Sequence, residues 1–212
     1  MFSSFDEIAV IKEVRMTGKK RLFDIMVASI CLLLLMPVML ITGLILFLTG
    51  MNPLFRHPRM GQNGKTFHCI KFTSMLPMEK VSESEQQRIR HELQLYSVVK
   101  NDPRITRFGA FIRKTSIDEL PQFINVLTGD MSVIGPRPIA AYEKDKYGRS
   151  YRHYCSVKPG ITGLWQVSGR DDLPYQRRIA IDRYYSLRRQ ACMDMYIFLK
   201  TFGVVAGMKG VN

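Results

Sequence analysis

The chain has 212 residues, with 31 Lys or Arg against 18 Asp or Glu, for a formal net charge of +13 at pH 7. That length suits one or two domains around one main core, and the charge calls for a polyanionic partner: nucleic acid, anionic lipid or a phosphorylated substrate. Cysteines 31, 69, 155 and 192 and histidines 57, 68, 91 and 153 show no metal-ligand spacing, which argues against a disulfide framework or a zinc site and for a reducing compartment.

From Ile25 to Leu48 no residue is charged, and most are Leu, Ile, Met or Val. As straight helix this run measures roughly 36 Å, enough to cross a bilayer core. It is too long for a cleaved signal peptide, so it is expected to anchor the chain in a membrane. Lys12, Arg15, Lys19, Lys20 and Arg21 precede it, and Arg56, Arg59, Lys65 and Lys71 follow it. Basic residues mark the cytoplasmic side, and both flanks qualify. Pro37, at the midpoint, has no N–H for the Leu33 carbonyl and favours a kink. Two half-helices of about 18 Å that enter and leave one leaflet, and a single kinked span, both fit this pattern.

The segment from Asn52 to Gly64 is basic and turn-rich. Lys65 to Met75 reads as a short strand, residues 79–100 as a polar helix, and Ile105 to Lys114 as an amphipathic segment lying on the membrane surface. A helix from about Asp118 to Leu127, closed by Gly129, follows. Gly135-Pro-Arg-Pro138 is an extended turn that fixes the direction of Arg137. Residues 139–153 read as a long polar helix, Pro159 to Arg170 as a glycine-rich loop, and 173–188 and 191–206 as two further helices. The fold class is therefore α-rich with minor β. A membrane segment over 20–50 follows an N-terminal extension over 1–19 and precedes a compact domain over 51–212.

The adjacent carboxylates Asp118 and Glu119 sit between Arg113 and Arg137. Acids flanked by fixed cations suit chemistry on phosphate, with one carboxylate attacking or holding a metal while arginines neutralise the oxygens. The same residues also read as helix punctuation. Ser116-x-x-Glu119 is a capping box, although Pro121 fits a start at Asp118 better and would make Asp118 the cap. Gly64-Lys65-Thr66 imitates the end of a P-loop, but Arg59 stands where its first glycine belongs. Neighbouring positions on a helix point Asp118 and Glu119 apart, which excludes a pair flanking a glycosidic bond.

Taken together, the residues resemble the bacterial sugar transferases, the monotopic polyprenol-phosphate phosphoglycosyl transferases, in their small form. The likeness runs in order through Lys20-Arg-Leu-Phe-Asp24, Pro37, Pro53-Leu-Phe-Arg56, Gly61-Gln-Asn-Gly-Lys65 and Lys71-Phe-Thr-Ser-Met75. It continues through Asp118-Glu119-Leu-Pro-Gln122 to Ser132, Gly135-Pro-Arg-Pro138, Lys158 to Arg170, and Asp182-x-Tyr-Tyr185. Met36 departs from the serine usual before the mid-membrane proline, and Thr73 from a common basic residue.

The resemblance implies a two-step transfer at the cytoplasmic face of the bacterial inner membrane. A UDP-sugar gives its sugar phosphate to polyprenyl (undecaprenyl) phosphate, UMP leaves, and glycan assembly begins, as for exopolysaccharide, capsule or O-antigen. Asp118 is then the nucleophile that carries an aspartyl-phosphosugar, Glu119 helps bind Mg²⁺, and Arg113 and Arg137 contact phosphate. Lys71, Gln122, Arg170 and Asp182 fall in family motifs and are expected to shape the donor pocket; a structural salt bridge is the competing role for each. Trp165 suits core packing better than stacking on a base. Pro37 marks the break of a re-entrant helix-break-helix. Membrane lipids are further partners, nucleic acid is not, and a homodimer is compatible with the sequence. The competing class is a non-catalytic membrane tether for anionic lipid or nucleic acid. The motifs do not identify the sugar.

Overall fold

A computed structural model describes residues 18–96, 99 and 101–207. The expected N-terminal extension lies outside these residues but for its last two, as do residues 97, 98 and 100 of the expected polar helix. The protein is rich in helix with few strands, as its sequence implies.

The apolar run forms one helix, α1 (Gly18–Leu48), with Pro37 inside it. Two separate half-helices do not appear: the helical conformation continues on both sides of the proline. At 31 residues α1 is long and apolar enough to cross a membrane. Its buried residues are Asp24, Ala28, Thr42 and Leu46, whose spacing repeats on one helical stripe. Leu33, Leu34, Leu40, Ile41, Leu44 and Phe47 leave the opposite side apolar and bare. Both ends of the stripe rest on the same domain. At the first end the Arg21 guanidinium donates to the carbonyls of Val126 (2.6 Å) and Leu127 (2.8 Å). At the other, Leu46 packs with Phe72 and Ile112.

Strand β1 (Leu54–Met60) corrects the turn-rich reading of that segment. It pairs antiparallel with β2 (Thr66–Phe72), in register from Leu54 opposite Phe72 to Met60 opposite Thr66. Pro58 is tolerated because the hairpin stands alone as a two-stranded sheet, where a missing donor on an edge costs no ladder bond. Next come α2 (Glu83–Tyr96) and α3 (Arg107–Lys114). Thr106 caps α3, its hydroxyl accepting from the Gly109 amide at 2.8 Å. A 3₁₀ turn over Ile117–Glu119 leads to α4 (Gln122–Thr128), which ends at Gly129 with φ 93°. That glycine closes the helix as its sequence position predicts.

Strand β3 (Ser132–Ile134) runs parallel to β4 (Gly160–Thr162), with Ser132 opposite Gly160 and Ile134 opposite Thr162. The expected glycine loop is thus a strand followed by α7 (Leu164–Ser168). Its glycines serve contact: a Cβ on Gly160 would run into the backbone of Gly135. The long helix expected over 139–153 is also corrected. It divides into α5 (Lys144–Tyr147) and α6 (Tyr151–Cys155) around Gly148, whose φ of 47° no regular helix accepts. Helices α8 (Tyr175–Arg188) and α9 (Ala191–Ala206) match expectation. The main core gathers Ala28 of α1, Val126 of α4, Met131, Val133 and Ile134 around β3, Tyr185 of α8 and Ile197 of α9. Trp165 is buried beneath Arg178, whose guanidinium lies 4.9 Å from its ring centroid, so it serves the core.

Candidate active site

The two adjacent acids sit between α3 and α4, and the local backbone decides between their two sequence readings. After α3, Ser116 takes the left-handed conformation (φ 58°) and its side chain makes no capping bond. Helix α4 does not start until Gln122, after Pro121. Asp118 lies in the intervening 3₁₀ turn, so neither Ser116 nor Asp118 caps a helix. Among the described residues, nothing donates a hydrogen bond to the Asp118 carboxylate, although the residue is only 8% exposed.

Two contacts hold this turn against the hairpin. Asn125 of α4 donates to the His68 carbonyl (2.8 Å) and accepts from the Ile70 amide (2.9 Å), filling one hydrogen-bonding step along β2. One residue further on, Lys71 meets Glu119 at 2.6 Å. The neighbours therefore differ sharply. Burial, and then the charge of Glu119, push the Asp118 carboxyl up to about 6 against the pull of Lys71, Arg113 and Arg137. Burial works to raise Glu119 as well, but Lys71 and Arg137 overcome it and hold that carboxyl down to about 2. One acid is a fixed anion. The other is a buried carboxylate with a raised proton affinity and, among the described residues, no hydrogen-bond or salt-bridge partner.

Beside the pair opens a small polar cleft. Of the sequence-predicted residues, Lys71, Glu119, Gln122 and Arg137 line it. Arg113, in the last turn of α3, and Arg170, with φ 49°, stand outside its lining; the first acts electrostatically on Asp118 and the second on Glu119. Asp182 lies elsewhere. It is buried on α8 and accepts from the Tyr147 hydroxyl at 2.9 Å. Burial pushes its carboxyl up to about 8 against the pull of Tyr147 and Arg137, which suits a neutral buried acid better than a donor-pocket anion. Sequence reasoning missed Arg59, Cys69 and Gln166 as lining residues. Asn125 was also missed, because its partners lie 55 and 57 residues away in sequence.

Among the described residues no cluster of three His, Cys, Asp or Glu could hold a metal. Magnesium needs fewer protein ligands, since one or two carboxylates and the substrate phosphates complete its shell with water. Glu119 fits that role: its Oε1 meets Lys71 while, among the described residues, Oε2 has no protein partner.

The family description for bacterial sugar transferases matches residues 15–208. The chain belongs to that family. Similar family members include the UDP-galactose-lipid carrier transferase of Erwinia amylovora, 43% identical over 195 residues, a match covering 90% of this chain and 41% of the relative. The undecaprenyl-phosphate galactose phosphotransferase of Salmonella typhimurium is 42% identical over 195 residues with the same coverage. The exopolysaccharide production protein ExoY of Rhizobium meliloti is 40% identical over 198 residues, covering 90% of this chain and 87% of the relative. The chain thus spans about two fifths of the Erwinia and Salmonella relatives and most of the Rhizobium one. All of the cleft, from Arg59 to Gln166, falls inside the family match.

Proposed function

We propose that this chain is a membrane-bound phosphoglycosyl transferase that moves a sugar phosphate from a UDP-sugar to undecaprenyl phosphate and releases UMP. The observation that carries this reading is the buried Asp118 carboxylate, without a hydrogen-bond partner among the described residues and set beside the Glu119–Lys71 pair at the edge of a cationic cleft. Relatives named for UDP-galactose and for undecaprenyl phosphate supply the donor and acceptor classes.

The chemistry follows from charge. An Asp118 oxygen attacks the β-phosphorus, the bond from that phosphorus to the bridging oxygen breaks, and UMP departs with the oxygen. The phosphate oxygen of undecaprenyl phosphate then attacks the same phosphorus and frees the carboxylate. A carboxylate meets like charge on approaching a diphosphate, so Lys71, Arg137 and Arg113 must offset it first. Magnesium bound at Glu119 would supply further neutralisation there. Gln122, buried on the cleft wall, presents a neutral amide to the donor.

The anchor fits a reaction between a soluble donor and a lipid acceptor. Arg21 and Leu46, at opposite ends of α1, both contact one domain. Neither end can then lie across the bilayer from that domain, which favours a re-entrant or interface-lying helix over a span. Its bare apolar side faces lipid, and the catalytic domain sits at the cytoplasmic face, where UDP-sugars are made.

Protein in lipid nanodiscs, given Mg²⁺, undecaprenyl phosphate and a panel of UDP-sugars, should release UMP over many turnovers with at least one donor, and without the acceptor should stop after about one UMP per active site. Release with no donor, together with equal binding to unrelated polyanions, would favour a non-catalytic tether. The rate should also depend on pH with a defined sign. Asp118 attacks as the anion, so kcat/KM should rise as pH is raised through about 6. Replacing Lys71 removes a cation that lowers both carboxyls. In Lys71→Met the acid limb should move to higher pH, by roughly one unit. A profile unmoved by that change would remove Lys71 from the site.

A further inference from the structure

The cleft holds a cation that the mechanism above does not use. Arg59, near the end of β1, lines it beside Lys71 and Arg137. Hydrogen bonds bring the two arginines together. The Met60 amide donates to the Ile139 carbonyl at 2.8 Å, and the Tyr154 hydroxyl donates to the Met60 carbonyl at 2.7 Å. The Ile139 amide in turn donates to the Tyr154 oxygen at 3.2 Å. The end of β1 is thereby stitched to the segment that follows Gly135-Pro-Arg-Pro138.

Behind Arg59 stands a carboxylate with three donors. Oε2 of Glu143 accepts from the Ala140 amide (2.7 Å) and from Nη1 of Arg59 (3.3 Å), and Oε1 accepts from the Tyr175 hydroxyl (2.9 Å). Glu143 is fixed by the backbone and by Tyr175, and it grips the guanidinium by one nitrogen only. Among the described residues, Nε and Nη2 of Arg59 have no protein acceptor, although the side chain is only 17% exposed. Burial and then Arg137 lower the proton affinity of Arg59, the mark of two cations held close. Counted on the cleft wall, Arg59, Lys71 and Arg137 face the single carboxylate of Glu119. That excess suits a diphosphate, and the unused edge of a guanidinium is the fork that takes phosphate oxygens in pairs.

We infer that Arg59 is a further phosphate-binding residue of the donor site, and that Glu143 and Tyr175 are positioning residues that aim it. The inference rests on the reading of the cleft as a UDP-sugar site. A purely structural Arg59 would need its bond to Glu143 and nothing from the cleft.

Binding of UDP, inorganic pyrophosphate and uridine to the full chain in nanodiscs, measured by calorimetry, separates these roles. In Arg59→Ala, UDP and pyrophosphate should bind roughly ten- to hundredfold more weakly, with uridine unchanged. Arg59→Lys keeps the ion pair to Glu143 but not the fork, and should remain at least about fivefold weaker for UDP at an unchanged thermal midpoint. Tyr175→Phe should weaken UDP in the same sense, by less. Native UDP affinity in Arg59→Lys and Arg59→Ala would overturn the assignment, as would equal losses for UDP and uridine. A native chain that binds pyrophosphate through Arg59 yet releases UMP from no donor would overturn the proposed function and leave this assignment standing. Active Arg59→Lys with a native KM would do the reverse.

Discussion

The Asp118→Asn variant should release UMP at least about a thousandfold more slowly than the native chain, while staying on the membrane with a thermal midpoint at or above the native one. Asparagine copies the shape of the side chain but offers no anionic oxygen to attack phosphorus. The fold should tolerate the change for a reason visible at the site. No described group donates to the Asp118 carboxylate, so no partner is orphaned. The sign of its titration agrees. Its folded-state value of about 6 lies above the roughly 3.9 of an unfolded chain, so the native state holds this proton more tightly. Its contribution to stability therefore falls as pH rises from about 4 to about 6, and at neutral pH the ionised group is a cost that asparagine removes. Glu119 has the opposite character, because removing its charge strands Lys71. Native protein quenched during turnover should carry the mass of one sugar phosphate on residue 118, and Asp118→Asn should not. Full-rate release by the variant would falsify the nucleophile assignment.

The features legible in sequence were those that a short stretch of chain determines by itself. The apolar run announced α1, Gly129 announced the end of α4, and the adjacent acids between arginines announced a carboxylate pair under cationic influence. What stayed hidden depends on partners far along the chain. Arg59 meets Glu143 across 84 positions, and nothing in Leu54-Phe-Arg-His-Pro-Arg-Met60 distinguishes it from Arg56. Pro58 also disguised β1, since proline argues against a strand until the strand proves to be an edge. Strand β4 is three residues long, too short for any periodicity, and its glycine is there for Gly135 rather than for a loop. Ser116 presented a capping box that the backbone declined: in the left-handed conformation its hydroxyl caps nothing. Asp182 stood in a family motif, but Tyr147 covers it from a segment 35 residues away. A motif identifies a residue with a fixed environment and does not say which environment.

The largest expected loss of stability comes from Asp24, where α1 joins the rest of the fold. This carboxylate is fully buried on α1. Its Oδ1 accepts from the Ser132 hydroxyl (3.0 Å) and the Val133 amide (3.1 Å), and lies 3.3 Å from Lys20 Nζ. Lys20 also reaches Asp194 of α9 at 3.2 Å, and Asp194 accepts from the Tyr185 hydroxyl at 2.7 Å. The Tyr185 oxygen closes the circuit at the Ile134 carbonyl, 3.1 Å away. Four elements thus share one polar network in a setting too dry for an unpaired charge. Asp24→Ala takes an acceptor from β3 and leaves Lys20 with one carboxylate instead of two, at a cost of about 3–5 kcal/mol. For a chain of this length the thermal midpoint in nanodiscs should fall by roughly 10 °C. Asp24→Asn keeps an oxygen for Ser132 and Val133 and should lose less than half as much. The damage should reach the cleft too, because β3 runs directly into Gly135-Pro-Arg137 and a loosened strand no longer fixes the direction of Arg137. UMP release should therefore decline in Asp24→Ala well below its melting temperature. An unchanged midpoint with native turnover would mean that α1 is held by its apolar stripe alone.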